Sequence, residues 1–467
     1  MGERTSVEVA GKRVAVIGLG RSGVAAVRLL GKFGARVAVA DQKPLAELTA
    51  ALEGLRAGDL EVHGSGAYES ALRGAELVVV SPGVPLTLEP LRRARAAGVR
   101  VIGEFELAAR CLTGKLIAVT GTNGKSTTVT WIGEVLQRAG YEPFVGGNLG
   151  PPLAEAAYAA FHGRRWDFVV AEVSSFQLET IETFHPWIGA ILNVTPDHLD
   201  RYPSMEAYAA AKLRMFENQA ATDYAVLNAD DPRLAHAADG FAGTRVLFSR
   251  TRAIERGVFV DGDSIISTVR GGGEEICRVS GLPVKGAHNV ENAMAVAAVA
   301  ILVGCPSATI GEGLRAFRGL EHVMELVRVL HGVAYINDSK GTNVDATIKA
   351  LESLPAPVIL IAGGREKGGE YPGLADVVRH KAKQVILLGE ASARLREVLA
   401  GVCPVTEVRS LAEAVRRAAA LAVPGDTVLL SPACASFDQF ADFEERGEAF
   451  RAAVHALTVP VARGACA

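Results

Sequence analysis

The string GTNGKST at residues 121–127 has the composition of a loop that binds nucleotide phosphates. It follows an apolar run typical of a strand and precedes a helical pattern. Its main-chain N–H groups would face phosphate oxygens, Lys125 would add positive charge, and the hydroxyls of Ser126 and Thr127 suit Mg²⁺. Val119 stands where the full phosphate-loop pattern has its first glycine. The acid downstream of the loop, described below, strengthens the prediction of a nucleoside triphosphate site.

A second glycine-rich loop, Gly18-Leu-Gly20-Arg-Ser-Gly23, lies between another apolar run and another helical pattern. Its glycines would let the main chain approach a phosphate, and the start of the helix would supply oriented N–H groups. Asp41 ends the next apolar run, as in dinucleotide-binding folds. The loop predicts a ligand, but it leaves open NAD, a flavin, a nucleotide sugar or a plain tight turn.

Polar residues follow further apolar runs in the middle of the chain. Glu172 ends one run, and a carboxylate beside a phosphate loop is suited to a second Mg²⁺ contact. Ser174-Ser-Phe-Gln177 comes next, and the string NVTPDHLDR at residues 193–201 follows another run. His198, taken alone, is more typical of a structural histidine. Lys212, in the helical string AAAKLR, has on residue type alone the character of a surface lysine.

The last part of the chain has polar loops after its own apolar runs. They are NDSKGTN at residues 337–343, GGREKG at 363–368 and SPACASFD at 431–438. Loops at the same edge of one parallel sheet form the crevice where such folds bind ligands. Cys434 lacks an apparent histidine partner, so we interpret it as a small packing residue.

The elements that would position these loops follow a strand–helix alternation, which predicts an α/β fold with parallel sheets. Residues 244–285 differ, with short β runs, glycine-rich turns and no helical pattern, and we predict a small antiparallel flap there. The strands predicted from apolar runs are Arg13–Ile17, Arg36–Ala40, Leu77–Val80, Val99–Ile102, Lys115–Thr120, Asp167–Glu172, Trp187–Asn193, Val333–Ile336, Val358–Ala362, Gln384–Leu388 and Thr427–Leu430.

Length and composition set broad limits on the protein class. A chain of 467 residues is long enough for about three domains. A formal charge of −3 favours neither a nucleic-acid surface nor an acidic tail, and the six cysteines are scattered without a CxxC pair. The amino terminus leads directly to a strand, and no apolar stretch approaches the ~20 residues of a membrane span. We therefore expect a cytoplasmic protein without nucleic-acid or membrane partners.

Taken together, these motifs resemble the Mur ligase family over essentially the whole chain. GTNGKST is shared across that family, while SSFQLE, DHLDRY, AAAKLR, NDSK-x-TN and SPACASFDQF resemble its D-glutamate-adding member. The resemblance implies ATP-dependent addition of D-glutamate to UDP-N-acetylmuramoyl-L-alanine through an acyl phosphate, releasing ADP and phosphate, in peptidoglycan synthesis. It implies a Rossmann-like UDP-binding domain at 1–106, a central phosphate-loop ATPase domain at 107–319, and a carboxy-terminal Rossmann-like domain at 320–467 that binds the incoming amino acid. A monomer is expected.

The resemblance also implies a role for each matching residue. The residues expected at ATP are Gly121, Thr122, Asn123, Gly124, Lys125, Ser126, Thr127, Asn289, Asn292, Asp338 and Lys340. Those expected at the UDP substrate are Gly20, Arg21, Ser22, Asp41, Gln42, Lys43, Ser81, Gly83, Asn148, Ser174 and Gln177. Those expected at D-glutamate are Thr342, Lys367, Ser431 and Phe437. Those expected at two Mg²⁺ ions are Ser126, Glu172, His198 and a carbamylated Lys212. The residues expected to be catalytic are Lys125, Glu172, His198 and Lys212.

Two positions depart from the family pattern. Related enzymes usually have GLxHR where this chain has Gly319-Leu-Glu-His-Val323, so an arginine that would reach an ATP phosphate is replaced. Arg328 or Arg365 could take over its role. The acid of the GG-x-D-K string is lengthened to Glu366. The first departure bears on the catalytic rate rather than on ligand identity.

Other functions remain open at this point. A sibling Mur ligase would add a different amino acid, although the DNPR string of the diamino-acid enzyme is missing. A folylpolyglutamate synthase would lack the first domain. A dehydrogenase would explain the first glycine-rich loop but not GTNGKST. A nucleotide-binding regulator without activity would be compatible with Val323.

Overall fold

The computed structural model describes residues 8–52, 55, 60–237, 240–284, 286–366, 371 and 373–457. By internal contacts the chain divides into two compact units. The first unit comprises Met1–Val194, Glu206–Gly281 and Glu291–Arg315, and the second comprises Thr195–Met205, Leu282–Val290 and Ala316–Ala467.

The first unit begins with a parallel sheet. Its strands are β1 (Arg13–Ile17), β2 (Arg36–Ala40), β3 (Leu60–His63), β4 (Leu77–Val80) and β5 (Arg100–Gly103). They pair in the order β3-β2-β1-β4-β5, with parallel register throughout. The accompanying helices are α1 (Arg21–Lys32), α2 (Leu45–Ala51), α3 (Tyr68–Leu72), α4 (Glu89–Ala96) and α5 (Glu104–Ala109). The strand order reverses between β1 and β4, which is where folds of this kind bind ligands.

A second, mixed sheet forms the rest of the first unit. Its strands are β6 (Lys115–Thr120), β7 (Pro143–Gly147), β8 (Phe168–Glu172), β9 (Ile188–Ile191), β10 (Tyr224–Asn228), β11 (Thr244–Ser249), β12 (Gly257–Asp261), β13 (Ser264–Ser267) and β14 (Glu274–Arg278). They pair in the order β14-β13-β12-β11-β10-β9-β6-β8-β7. The apolar side chains of β6, β8 and β9 are buried, as expected for central parallel strands.

The helices that follow in the chain are α6 (Lys125–Arg138), α7 (Leu153–Phe161), α8 (Ser175–Leu178), α9 (Met205–Leu213), α10 (Pro232–Ala237), α11 (Ala287–Val303) and α12 (Ser307–Ala316). Short 3₁₀ turns occur at Arg214–Phe216 and Val279–Gly281. None of the helices in the described part of the chain has the length and apolar character that crossing a bilayer requires.

The predicted antiparallel flap is confirmed only in its later part. β12, β13 and β14 pair antiparallel, but β11 pairs parallel with both β10 and β12. Only the end of β11 pairs with the beginning of β12, so the connection through residues 250–256 needs no helix to reverse direction. The antiparallel strands therefore continue the central sheet.

The second unit contains a further sheet. Its strands are β15 (Glu325–Leu330), β16 (Val333–Asn337), β17 (Val358–Gly363), β18 (Ala382–Leu388), β19 (Val405–Glu407) and β20 (Thr427–Leu430), in the order β15-β16-β20-β17-β18-β19. β15 is antiparallel to β16, and the remaining pairs are parallel. The helices are α13 (Val344–Ser353), α14 (Leu374–Lys381), α15 (Ser392–Val398), α16 (Leu411–Leu421) and α17 (Phe443–His455). Apolar residues pack on both faces of the sheet.

Candidate active site

The phosphate loop joins β6 to α6 and is held from both sides. Gly124 has φ of 84°, and a Cβ built there would lie 2.3 Å from Oδ1 of Asn292. Asn193 brackets the loop, because its Oδ1 accepts the N–H of Asn123 at 2.9 Å and its Nδ2 donates to the carbonyl of Asn123 at 3.1 Å. The loop therefore requires glycine at position 124, and Asn292 packs directly against it.

Ser126 and Glu172 are adjacent and buried. The Ser126 hydroxyl donates to Oε2 of Glu172 at 2.5 Å, and Nδ2 of Asn148 donates to Oε1 at 2.9 Å. A serine hydroxyl and a carboxylate beside a phosphate loop are the oxygen ligands that Mg²⁺ prefers. This donor set fits the predicted ion, with Ser126 and Glu172 as the residues that would hold it.

Two lysines converge on the same carbonyl oxygen of the phosphate loop. Nζ of Lys125 and Nζ of Lys212 each lie 2.9 Å from the carbonyl oxygen of Gly121. Lys212 is 1% exposed, and its Nζ lies 4.5 Å from the centre of the Tyr208 ring. Residue type alone suggested a solvated lysine for position 212, and this expectation is wrong. The role of Lys212 as a carbamylated metal ligand stays a prediction.

His198 belongs to the second unit, whereas Ser126, Glu172 and Lys212 belong to the first. Its backbone is left-handed, with φ of 55°, and its N–H donates to Oδ1 of the preceding Asp197 at 2.9 Å. Its role as a metal ligand stays a prediction.

A cavity of about 420 Å³ lies in the first unit, between loops of its two sheets. The predicted UDP-substrate residues that line it are Gly20, Arg21, Ser22, Asp41, Gln42, Ser81, Gly83, Asn148 and Gln177. Residues of the first sheet thus meet the Gly147–Pro152 segment of the central sheet at one site. Within the described residues, Lys43 and Ser174 are outside its lining.

The glycine-rich loop beside this cavity is shaped by its neighbours. The Asp41 carboxylate accepts the N–H of Leu19 at 2.6 Å and the N–H of Lys43 at 2.9 Å. The hydroxyl of Ser81 donates to the carbonyl of Gly18 at 2.8 Å. A Cβ at Gly23 would lie 1.9 Å from that same carbonyl oxygen, so glycine is required there. Asp41 and Ser81 therefore hold the loop in addition to lining the cavity.

Gln177 presents a buried donor at the cavity wall. Its Oε1 accepts the N–H of Ser174 at 2.8 Å, and Oγ of Ser174 accepts the N–H of Gln177 at 3.2 Å, which forms a capping box on α8. Its Nε2 has no hydrogen-bond partner among the described residues, although the side chain is 2% exposed. An unsatisfied buried amide is costly unless a ligand or water completes it. Gln177 is therefore poised to donate to a ligand.

In the second unit, Asp338 and Ser431 lie at the ends of neighbouring strands. The Ser431 hydroxyl donates to Oδ2 of Asp338 at 2.7 Å, and both residues are buried. Burial raises the pKa of Asp338 to about 7, although the Ser431 hydroxyl and the N–H of Met324 oppose this effect. A Cβ at Gly341 would lie 2.6 Å from Oδ2 of Asp338. The two predicted loops therefore meet in close contact.

The other predicted residues of the second unit have different environments. Lys340 Nζ lies 5.2 Å from the centre of the Phe443 ring, and the N–H of Thr342 donates to the carbonyl of Lys340 at 2.8 Å. Phe437 is 61% exposed and Asn289 is buried. Lys367 lies outside the described residues.

Val323 lies between two residues with left-handed backbones, His322 and Met324. The candidate replacements for the missing arginine are engaged elsewhere. Arg328 donates to the carbonyl of Leu457 at 3.3 Å, and Arg365 pairs with Glu390.

Cys434 is buried, as expected for a packing residue, and burial raises the pKa of its thiol to about 11. Sequence reasoning missed Asn193 and Arg446 as residues that hold the loops. Asn193 opens the polar string after β9, which was a usable signal. Arg446, a charged residue on a helix, offered none.

Three family descriptions match the chain. The Mur ligase MurD-like N-terminal domain matches residues 12–103, the Mur ligase middle domain matches 119–300, and the Mur ligase glutamate ligase domain matches 324–434. These matches correspond to the successive sheets of the fold.

Curated relatives are similar over nearly their whole length. The UDP-N-acetylmuramoylalanine--D-glutamate ligase of Pelotomaculum thermopropionicum is 47% identical, covering 96% of this chain and 98% of the relative. The protein of the same name from Geotalea uraniireducens is 45% identical, covering 97% and 99%.

Among solved structures, the UDP-N-acetylmuramate-alanine ligase of Thermotoga maritima has a TM-score of 0.60 at 20% identity, covering 94% of this chain and 98% of that one. A pseudomurein peptide ligase type C from Methanothermus fervidus has a TM-score of 0.58 at 21% identity, covering 90% and 96%. These structures support the fold. With the domain matches and the curated relatives, they establish that the chain belongs to the Mur ligase family.

Proposed function

We propose that this chain is the ATP-dependent ligase that joins D-glutamate to UDP-N-acetylmuramoyl-L-alanine in the synthesis of peptidoglycan precursors. The observation that carries the proposal is 47% identity, over 96% of the chain, to a curated relative with that activity in its name. The buried Ser126–Glu172 pair beside the phosphate loop and the cavity lined by Gln177 are consistent with it.

We assign the UDP substrate to the domain at 1–106, ATP to the domain at 107–319 and D-glutamate to the domain at 320–467. The cavity supports the first assignment, because Arg21 and Ser22 line it and Nε2 of Gln177 lacks a partner there among the described residues. D-Glutamate would meet Thr342, Ser431, Phe437 and Lys367. ATP would meet the phosphate loop, Asn289, Asn292, Asp338 and Lys340.

In this proposal the L-alanyl carboxylate attacks the γ-phosphoryl group of ATP and gives an acyl phosphate and ADP. The amine of D-glutamate then attacks the activated carbonyl, and phosphate leaves from the tetrahedral intermediate. Both reactants of the first step are anionic, so Lys125 and the main-chain N–H groups of the loop would reduce their repulsion. Exclusion of water would protect the acyl phosphate from hydrolysis.

Mg²⁺ would be held by Ser126 and Glu172, with a second ion at His198 and a carbamylated Lys212. When bound, the ions would supply charge stabilisation for the transferring phosphoryl group. The carbamate would be an anionic ligand formed from the Lys212 amine and CO₂. The shared position of Lys125 and Lys212 on one carbonyl oxygen supports it, because carbamylation replaces repulsion between like charges by attraction.

Phosphate release tests the proposal, measured with each amino acid in turn in the presence of ATP and UDP-N-acetylmuramoyl-L-alanine. We expect release only when D-glutamate is present, with L-glutamate inert. Equal turnover with L-glutamate or meso-diaminopimelate would contradict the assignment and favour a sibling ligase.

We also propose that the enzyme is a cytoplasmic monomer that acts only on small molecules. ATP is an intracellular substrate, which supports this location. Light scattering of the purified protein measures its molar mass in solution, and the mass of a stable dimer would contradict the proposed monomeric state.

A further inference from the structure

Arg446 of α17 contacts the polar loops of the second unit from behind. The side chain is buried, with 2% of the residue exposed. Its Nε donates to Oγ of Ser339 at 3.0 Å, and its Nη2 donates to the carbonyl of Ser339 at 2.8 Å. Its Nη1 donates to the carbonyl of Cys434 at 3.2 Å. One guanidinium group thus joins loops that are far apart in sequence.

These contacts fall inside the loops to which the substrates are assigned. Ser339 lies between Asp338 and Lys340, and Cys434 lies in the segment between Ser431 and Phe437. The loops are also joined directly, because the N–H of Ala433 donates to the carbonyl of Gly341 at 2.9 Å. A shift of the guanidinium group would therefore move both loops together.

A third loop packs against the same group. A Cβ built at Gly364 would lie 3.2 Å from Nη1 of Arg446 and 2.2 Å from the carbonyl oxygen of Ala435. Arg365 and Ala435 exchange main-chain hydrogen bonds at 2.9 and 3.0 Å. The guanidinium group is therefore enclosed by the loops that follow β16, β17 and β20.

Lysine could not reproduce these contacts. Burial lowers the pKa of Arg446 to about 10, so the group remains a cation near neutral pH. A planar fork with several donors can serve Ser339 and Cys434 at once, whereas an ammonium group is a single point of charge. With fewer donors at this position, the buried carbonyl of Ser339 or of Cys434 would lose its hydrogen bond.

We propose that Arg446 is a positioning residue for the incoming amino acid, which holds the loop of Asp338 to Thr342 in register with the loop of Ser431 to Phe437. This inference rests on the proposed function. Arg446 acts through these loops and contacts no reactant.

The experiment compares Arg446→Lys with Arg451→Lys on the same helix, whose guanidinium pairs near the surface with Glu325 and Glu448. Measured quantities are kcat, the KM for each substrate and the Tm. For Arg446→Lys we expect the KM for D-glutamate to rise roughly tenfold or more, because charged hydrogen bonds to both loops are lost. The KM for the UDP substrate should stay unchanged, since its cavity lies in the first unit. Arg451→Lys should leave both values at wild type.

Ser339→Ala provides a milder change from the other side of the contact. It removes the Oγ acceptor of the Nε donor and the hydrogen bond from Oγ to the carbonyl of Phe443, but it leaves the other two guanidinium contacts in place. The same KM should therefore rise by a smaller factor, about two- to fivefold. This variant keeps the inference testable if Arg446→Lys does not fold.

A lower Tm and kcat with an unchanged KM for D-glutamate in both variants would overturn the inference and leave Arg446 purely structural. Thr342→Ala separates this outcome from failure of the proposed site. If Thr342→Ala raises the KM for D-glutamate and the Arg446 and Ser339 variants do not, only the positioning role is wrong. If Thr342→Ala also has no effect on that KM, the assignment of the acceptor site is wrong.

Discussion

At the scale of single residues, the phosphate loop concentrates charge around one main-chain oxygen. The carbonyl of Gly121 accepts from both Lys125 and Lys212, and Lys212 is almost fully enclosed. Two ammonium groups at one acceptor repel each other, and burial further disfavours the charged form of a lysine. Carbamylation, which consumes the neutral form of a lysine amine, would replace one of these two like charges with an anion.

We expect Lys212→Ala to lose most of the ligase activity, because the proposed carbamate would no longer be available as an anionic ligand. Adding a short carboxylate such as acetate or formate should restore part of the activity, measured as phosphate release. Depleting bicarbonate should slow the wild-type enzyme. Lys115→Ala is a suitable control, since Lys115 is exposed at the start of β6. Near-normal activity of Lys212→Ala, without a response to carboxylates, would remove the carbamate from the mechanism.

Val323 provides a second prediction at this scale. Its neighbours are tied to the loop assigned to ATP, because the N–H of Met324 donates to Oδ1 of Asp338 at 3.2 Å and the N–H of Lys340 donates to the carbonyl of His322 at 3.1 Å. An arginine at position 323 would therefore stand beside that loop. We expect Val323→Arg to raise kcat or to lower the KM for ATP, through bidentate contact with a phosphate.

Val323→Lys is the matched control for this change, since it adds charge without the planar fork. Steady-state kinetics with varied ATP measure both variants. Unchanged kcat and KM in Val323→Arg would mean either that another residue has taken over the role or that the arginine is dispensable in this enzyme.

Sequence alone could predict where residues lie in the fold when their position depends on local order along the chain. GTNGKST precedes α6, and Glu172 ends β8, so residue type and strand position were sufficient. The burial of Lys212 was not predictable from residue type, because a helical lysine among alanines has no local sign of enclosure. Arg446 was missed for the same reason, since its partners are brought near it only by tertiary packing.

At the scale of elements, helix α5 carries two buried carboxyl groups, Glu104 and Glu106, whose pKa values are shifted in opposite directions. Glu104 accepts the N–H of Ala154, at the start of α7, and its Oε2 has no hydrogen-bond partner among the described residues. Burial raises its pKa to about 7. Burial acts on Glu106 too, but hydrogen bonds from Thr183, Glu182 and Arg110 outweigh it and lower the pKa of that carboxyl. α5 is thereby joined to α7 and to the segment at residues 182–184, which precedes β9.

The raised pKa of Glu104 predicts a pH-dependent stability. Between the ordinary value of 4.5 and the folded value of about 7, the folded protein keeps a proton that the unfolded chain has lost. The protonated carboxyl makes its full contribution to the free energy of unfolding below pH 4.5, and this contribution is lost as the pH rises to about 7. Glu104→Gln keeps a neutral acceptor for Ala154 and cannot ionise. We expect it to raise the free energy of unfolding at pH 8 by on the order of 2 kcal/mol.

Urea unfolding at pH 4.5 and pH 8 measures this difference, which should nearly vanish at the lower pH because the wild-type carboxyl is then protonated too. Glu142→Gln, an exposed carboxylate paired with Arg164, should change stability little at either pH. If Glu104→Gln lowers stability equally at both values, Glu104 is ionised in the folded protein and its pKa is not raised.

Most strands that are buried on both faces were predictable, because such strands are short apolar runs, although the buried strand β10 was not predicted. β1, β2, β4 and β6 match the predicted bounds. β7 was missed, since it begins with Pro143 and ends in two glycines, and it lies at the edge of its sheet, where such residues are tolerated. The parallel pairing of β11 was not predictable either, because it depends on strand stagger, which leaves no signal in the sequence.

At the scale of the whole molecule, the cavity assigned to the UDP substrate is confined to one of the two units. All the residues that line it belong to the first unit, although they come from loops of both sheets there. Glu104 and Glu106 join α5, the helix that links those sheets along the chain, to α7 and to the segment before β9, which belong to the layer of the second sheet. A ligand in the cavity would add contacts between the same two sheets.

Hydrogen exchange with UDP-N-acetylmuramoyl-L-alanine alone tests this arrangement. We expect slower exchange in peptides covering residues 18–22, 81–85 and 147–152, which line the cavity. The peptide covering 431–438 should show no comparable decrease in exchange. Ligand binding stabilises the segments that it contacts, and a concentration of 100 times Kd corresponds to about 2.7 kcal/mol. D-Glutamate alone serves as the ligand control and should leave the cavity peptides unchanged.

Gln177→Glu sharpens the same measurement, because it keeps the Oε1 that accepts from Ser174 but replaces the Nε2 donor with an oxygen. The cap of α8 can persist while the contact to the ligand is lost, so protection at a fixed substrate concentration should fall. Equal protection in Gln177→Glu and wild type would show that the donor does not reach the ligand. Protection confined to residues of the second unit would contradict the assignment of the UDP substrate to this cavity.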